Sequence, residues 1–122
     1  MSYLIRKTDT FLRNWKKNPD RYPLIIKGAR QVGKTETIRK FAKENYKNLV
    51  EINFITEPAY KTIIDEGFSA DNILKLISRI DPSKHFDTGE TLLFFDEIQD
   101  FPEIATSLKF FKENGKYDVI CS

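Results

Sequence analysis

Residues 23–35 read PLIIKGARQVGKT. The run from Pro23 to Lys27 is short, branched and apolar, and it is bounded by a proline and by Gly28, which predicts a buried strand. Gly28 to Thr35, GARQVGKT, matches G-x-x-x-x-G-K-[ST], the Walker A pattern. Its chance occurrence in a chain of this length is roughly one in a few hundred. A helix is expected next, from Lys34 to Tyr46, with Ile38, Phe41, Ala42 and Asn45/Tyr46 as its inward stripe. Strand, glycine-bounded loop and helix are the context in which this motif cradles phosphate. Gly28 and Gly33 let the backbone curl, so successive N–H groups point into one concavity at the positive end of the helix. Lys34 is a mobile charge able to reach the β- and γ-phosphates, and the Thr35 hydroxyl can ligate Mg²⁺. Ala29, Arg30, Gln31, Val32 and Glu36 complete the candidate nucleotide-binding set. Arg30 is open to two readings, a contact with phosphate or a neighbouring subunit, and a solvated loop side chain.

Upstream, Ile5 to Lys17 has Ile5, Thr8, Phe11, Leu12 and Trp15 at helical spacing, and Asn18-Pro19 ends the helix. Downstream, Leu49 to Phe54 reads as the second strand. Thr56 is expected to cap a short helix that Gly67 stops, and Ser69 to cap another carrying Ile73, Leu76, Ile77 and Ile80. Thr91 to Phe95 is the third strand, apolar on both faces like a central strand of a parallel sheet. Asp100 and Glu103 read as a capping pair for a helix using Ile104, Leu108 and Phe111. Tyr117 to Cys121 is the fourth strand. Strands separated by helices predict an α/β fold with a parallel sheet and right-handed crossovers. The division expected is a helix over residues 1–20 packed on a core over 21–122. A buried-type strand followed only by Ser122 suggests an incomplete domain.

Leu92-Leu93-Phe94-Phe95 runs into Asp96-Glu97, the Walker B pattern. Asp96 at a strand tip can hold the Mg²⁺ hydration shell opposite Thr35. Glu97 is then placed to orient and deprotonate an attacking water. GTPases carry Asp-x-x-Gly at this strand end, where Gln99 stands here. Gly115-Lys116-Tyr117-Asp118 also begins with the wrong residue for a guanine-reading element and precedes its strand. ATP is therefore favoured over GTP, and the second acid favours hydrolysis over phosphoryl transfer to a metabolite.

Together, GARQVGKT, LLFFDEIQ and the helix before the first strand resemble the AAA-type predicted ATPases of bacteria and archaea that carry a C-terminal domain of unknown function. The resemblance implies a P-loop NTPase-type three-layer sandwich. An added strand would lie between the Walker A and Walker B strands, in the order fifth-first-fourth-third-second. It implies ATP and Mg²⁺ as ligands. Asn53, at the tip of the second strand, would be either a switch that hydrogen-bonds Glu97 or a strand-end asparagine satisfying a turn. Ser122 would lie where the family places a polar sensor of the γ-phosphate. The family's lid, arginine finger and C-terminal domain have no counterpart among these residues. A chain lacking them is expected to bind nucleotide with little or no turnover, since one transition-state charge is worth roughly 10³ to 10⁵ in rate.

The chain has 122 residues, 40% hydrophobic and 31% charged, which describes one soluble globular domain. No apolar run is long enough to cross a bilayer, and charge precedes any apolar stretch at the start, against a signal peptide. The single cysteine, Cys121, excludes an internal disulfide and fits a reducing cytoplasm. With one histidine as well, zinc is improbable. Residues 1–50 hold thirteen Lys and Arg against four Asp and Glu, and residues 51–122 seven against fourteen. The basic first half reads as meeting phosphate, in a nucleotide or nucleic acid, or as lining solvated helix faces. Two alternatives to the ATPase therefore stand: an ATP-gated module for a DNA or protein partner, and a nucleic-acid-binding protein. A homo-oligomer of the full-length protein is an open expectation. The Phe11, Leu12 and Trp15 stripe is core or packs an adenine. Arg6 reaches the base or ribose or is solvated, and Phe110 covers sheet or is an ordinary exposed aromatic.

Overall fold

The computed structural model describes residues 3–27 and 33–122, with side chains from residue 7 onward. The strands are β1 (Leu24–Ile25), β2 (Asn48–Asn53), β3 (Thr91–Asp96) and β4 (Asp118–Cys121), and the helices are α1 (Tyr3–Lys17), α2 (Lys34–Asn45), α3 (Ala70–Ile80) and α4 (Leu108–Asn114). The sheet is wholly parallel in the order β1-β4-β3-β2. β4 thus lies between the strand that leads into the glycine loop and the strand that ends in the acids, as the resemblance implied.

β3 shows why the layers form. Every one of its residues is buried, and strand side chains alternate between faces. Leu92 and Phe94 join Leu12, Ile38, Phe41 and Ile120 under α1 and α2. Leu93 and Phe95 join Val50, Ile52, Ile73, Ile77 and Phe111 under α3 and α4. Burying each such side chain contributes about 1.5–3 kcal/mol. The result is a three-layer α/β sandwich with the sheet in the middle.

Several local expectations hold. Ser69 Oγ accepts from the Asn72 amide at 3.2 Å, capping α3, and Gly115 closes α4 with its amide 3.0 Å from the Phe111 carbonyl. Others need correction. β1 is two residues long rather than five, and Ile25 is 39% exposed. Pro23 has no N–H to pair, and β1 has only β4 as a neighbour. Thr56 caps nothing. Its amide donates to Asn53 Oδ1, and Glu57 precedes a 3₁₀ run, Pro58–Ile64. Asp100 and Glu103 form no capping pair either. Phe101 holds that position, Asp100 pairs with Lys61 Nζ at 3.4 Å, and the chain runs as 3₁₀ over Pro102–Ser107 before α4 begins. Ser107 Oγ bonds the Ile104 carbonyl at 2.6 Å, the local side-chain competition that disfavours a regular α-helix there.

Cys121 is completely buried, and burial pushes its thiol up to about 12. Alkylation by iodoacetamide at pH 8 is therefore expected to be negligible in the native protein and complete in denaturant. Native labelling at the rate of a free thiol would show that β4 opens.

Candidate functional site

In a parallel sheet the carboxyl ends of the strands share one edge, where ligands bind. Here β1 exits at Lys27, β3 at Asp96 and Glu97, and β4 at Ser122. These ends and the start of α2 enclose a cavity of about 590 Å³, within the range of small-molecule sites. Of the residues expected in the site, Lys34, Thr35, Asp96, Glu97 and Ser122 all line it. Gly28, Ala29, Arg30, Gln31 and Val32 lie outside the described residues, as does the Arg6 side chain. Glu36 does not line the cavity. It is exposed in the first turn of α2 and bonds Arg39 Nη1 at 2.6 Å.

Gly33 enters α2 in the left-handed region, φ 97°, where a side chain would be strained. Its carbonyl accepts from the Thr37 amide at 2.8 Å and from Thr37 Oγ1 at 2.7 Å. Among the described residues no side chain caps this end of α2. The first-turn amides have no acceptor within the helix, and the positive end of the dipole there favours an anion.

Asp96 ends β3 beside Asn53 of β2 and is only 8% exposed. Its Oδ1 accepts from the Glu97 amide at 2.9 Å. Desolvation raises its pKa, and the charges of Glu97 and Glu51 push the same way. The Glu97 amide and the charge of Lys34 oppose the rise. A carboxylate so placed gains from a nearby cation. Glu97 follows at φ 60°, ψ 48°, the one non-glycine residue with positive φ among the described residues. Such a conformation costs on the order of 1–2 kcal/mol. The Gln99 Nε2 donates to Glu97 Oε2. Ser122 is tied to this turn through its main chain, its amide on the Phe95 carbonyl at 2.9 Å and its carbonyl on the Ile98 amide at 3.0 Å. Asn53 Oδ1 accepts from the amides of Ile55 and Thr56 at 2.9 and 3.0 Å, the geometry of a turn-forming asparagine.

The family profile of the AAA domain matches residues 20–122. The chain belongs to the AAA domain family. No curated protein and no solved structure matches it. Membership brings nucleotide binding and ATPase-type chemistry at the level of the family, and an AAA-type P-loop domain agrees with the parallel sheet and the cavity at its carboxyl edge. No helix among the described residues of this AAA domain is long and apolar enough to cross a membrane.

The donors present suit a magnesium ion held jointly with a polyphosphate. Thr35 and Asp96 offer hard oxygens in one cavity. Among the described residues no three His, Cys, Asp or Glu side chains cluster as a self-sufficient metal site, so phosphate and water would supply the remaining ligands.

A second hollow of about 360 Å³ lies between α1 and β1 and shares Ile25, Ile26 and Lys27 with the first. Phe11, 54% exposed, lines it, whereas Leu12 is buried in the core. Trp15 packs on Phe41 with ring centroids 6.4 Å apart and donates Nε1 to the Tyr22 carbonyl. The aromatic stripe therefore divides, with one ring at a cavity and one in a structural contact. Phe110 is half-buried under the Lys109 ammonium. Sequence reasoning missed Gln99 as a cavity residue, because its signal there was only the exclusion of a GTPase pattern. Lys27, Pro102 and Ala105 on the cavity wall carried no signal at all.

Proposed function

We propose that this AAA domain binds ATP together with Mg²⁺ and hydrolyses its terminal phosphoanhydride. The observation supporting this reading is that one cavity gathers two amines, two hydroxyls and two carboxylates at the start of α2 and the ends of β1, β3 and β4. In this reading Lys34 and the first-turn amides of α2 hold the phosphates. Thr35 and Asp96 would hold the metal, which when bound neutralises phosphate charge. Glu97 orients a water and takes its proton as the water oxygen bonds the γ-phosphorus. The bond from that phosphorus to the bridging oxygen breaks, and its electron pair leaves with ADP. The Ser122 hydroxyl lies on the same wall and is assigned to sensing the γ-phosphate. The hollow beside Phe11 is assigned to the base. The Gly-x-Arg-Gln-x-Gly-Lys-Thr form supports placing the chain among the prokaryotic AAA-type ATPases with a C-terminal domain, working in the cytoplasm.

Calorimetric titration of the chain with ATP and Mg²⁺ tests the reading. Binding is expected in the wild type, and Lys34→Ala is expected to weaken it about 100-fold or more, the loss of a charge-assisted contact to phosphate. Equal affinity in the two proteins would overturn the assignment.

One observation supports the second reading, an ATP-gated binder of DNA. Lys17, Lys40 and Lys43 are exposed on α1 and α2 and form no ion pair among the described residues. Affinity for duplex DNA that falls steeply with salt would favour it, and salt-insensitive or absent binding would dismiss it.

A further inference from the structure

We propose that Gln99 is a positioning residue that acts through Glu97: its carboxamide holds the Glu97 carboxylate against the wall of the phosphate cavity. This rests on the reading of Glu97 as the base. Gln99 Nε2 donates to Glu97 Oε2, and both residues line the cavity with Lys34 and Thr35. A glutamate side chain has three free torsions, and a general base must stay within hydrogen-bond reach of the water that it activates. Anchoring one carboxylate oxygen fixes the plane of the group.

The anchor is itself held. Gln99 is the middle residue of the short 3₁₀ turn Ile98–Asp100. The Ile98 amide is bound to the Ser122 carbonyl at 3.0 Å and the Asp100 amide to the Glu97 carbonyl at 3.1 Å. The turn runs into Phe101, whose ring packs 4.9 Å from that of Phe54 in the core. The left-handed backbone of Glu97 begins this turn, and strain of this kind persists where the surroundings over-determine it. Asn53 Oδ1 is engaged by the amides of Ile55 and Thr56. Gln99 thus brings a carboxamide to Glu97 from the acid's own turn.

Steady-state ATP hydrolysis and ATP titration of wild type, Gln99→Ala, Gln99→Glu, Glu97→Gln and the Glu97→Gln/Gln99→Ala double variant test this. Gln99→Ala is expected to lower kcat about 10-fold, the scale of a sub-ångström misplacement, with KM and ATP affinity within about twofold. Gln99→Glu, of equal length but an acceptor bearing like charge, is expected to fall at least as far. In the Glu97→Gln background Gln99→Ala is expected to cost nothing more, because the two act as one unit. Severe loss in Glu97→Gln beside wild-type kcat in Gln99→Ala overturns this inference alone. Wild-type turnover in Glu97→Gln overturns the base reading and this inference with it. A measurement independent of turnover is the side-chain amide resonance of Gln99 in ¹⁵N-labelled protein. Glu97→Ala is expected to shift it clearly, and an unmoved resonance overturns the contact.

Discussion

Glu97→Gln is expected to cut phosphate release by about 10²- to 10⁴-fold, the contribution of a positioned general base, while ATP remains bound. The substitution keeps the size and planarity of the side chain but removes its capacity to accept a proton. Binding should not suffer. Glu97 lines the same cavity as Lys34 and Thr35, so neutralising it removes a negative charge that would repel the phosphates. The expected signature is a split: phosphate release nearly abolished, and affinity for ATP with Mg²⁺ equal or tighter by calorimetry. Unchanged release would show that Glu97 is not the base. Parallel loss of binding and release would show that it holds the nucleotide instead.

The second large effect lies at the opposite end of the sheet. Asp118→Ala is expected to lower the unfolding free energy by about 3 kcal/mol, the low end of what breaking a buried ion pair costs, and Tm by roughly 10–15 °C. Asp118 begins β4 and accepts from Arg21 Nε at 2.9 Å, from Arg21 Nη2 at 2.8 Å and from the Tyr46 hydroxyl at 2.6 Å. Its hydrogen bond is the first cause of the raised Arg21 pKa, and burial, then Asp118, raises that of Tyr46. Removing the carboxylate leaves the guanidinium with only the Asn18 carbonyl, 3.0 Å from Nη1, and takes away the acceptor of the half-buried Tyr46 phenol. A quarter of the Arg21 side chain reaches solvent, which places the cost at the low end. Against a total stability of about 5–15 kcal/mol, the loss would be plain in urea unfolding. A change under about 1 kcal/mol would mean that the pair behaves as a surface ion pair.

What could be read in advance divides along physical lines. β3 was legible over Thr91 to Phe95 because a short apolar run fits a strand buried on both faces, and the Ser69 cap because its signal is local. The meeting of Lys34, Thr35 and Asp96 followed from a local loop motif, a strand-end acid and the fixed hand of parallel crossovers. The 3₁₀ segments at Pro58–Ile64 and Pro102–Ser107 were not legible, because proline, serine and threonine mark a helix start without deciding its pitch. The brevity of β1 depends on its edge position, which no local pattern encodes. Asp118 meets Arg21 across 97 residues, and in the sequence it served only to exclude a guanine-reading element. Gln99 gained its place only once the turn after Asp96 had a shape.

The two main-chain bonds that join residue 122 to Phe95 and Ile98 straddle Asp96 and Glu97. The acids are thus clamped by peptide groups, which every substitution except proline preserves. Where the main chain of the two acids runs is therefore set by peptide groups, and a substitution at 122 other than proline is expected to leave that path in place.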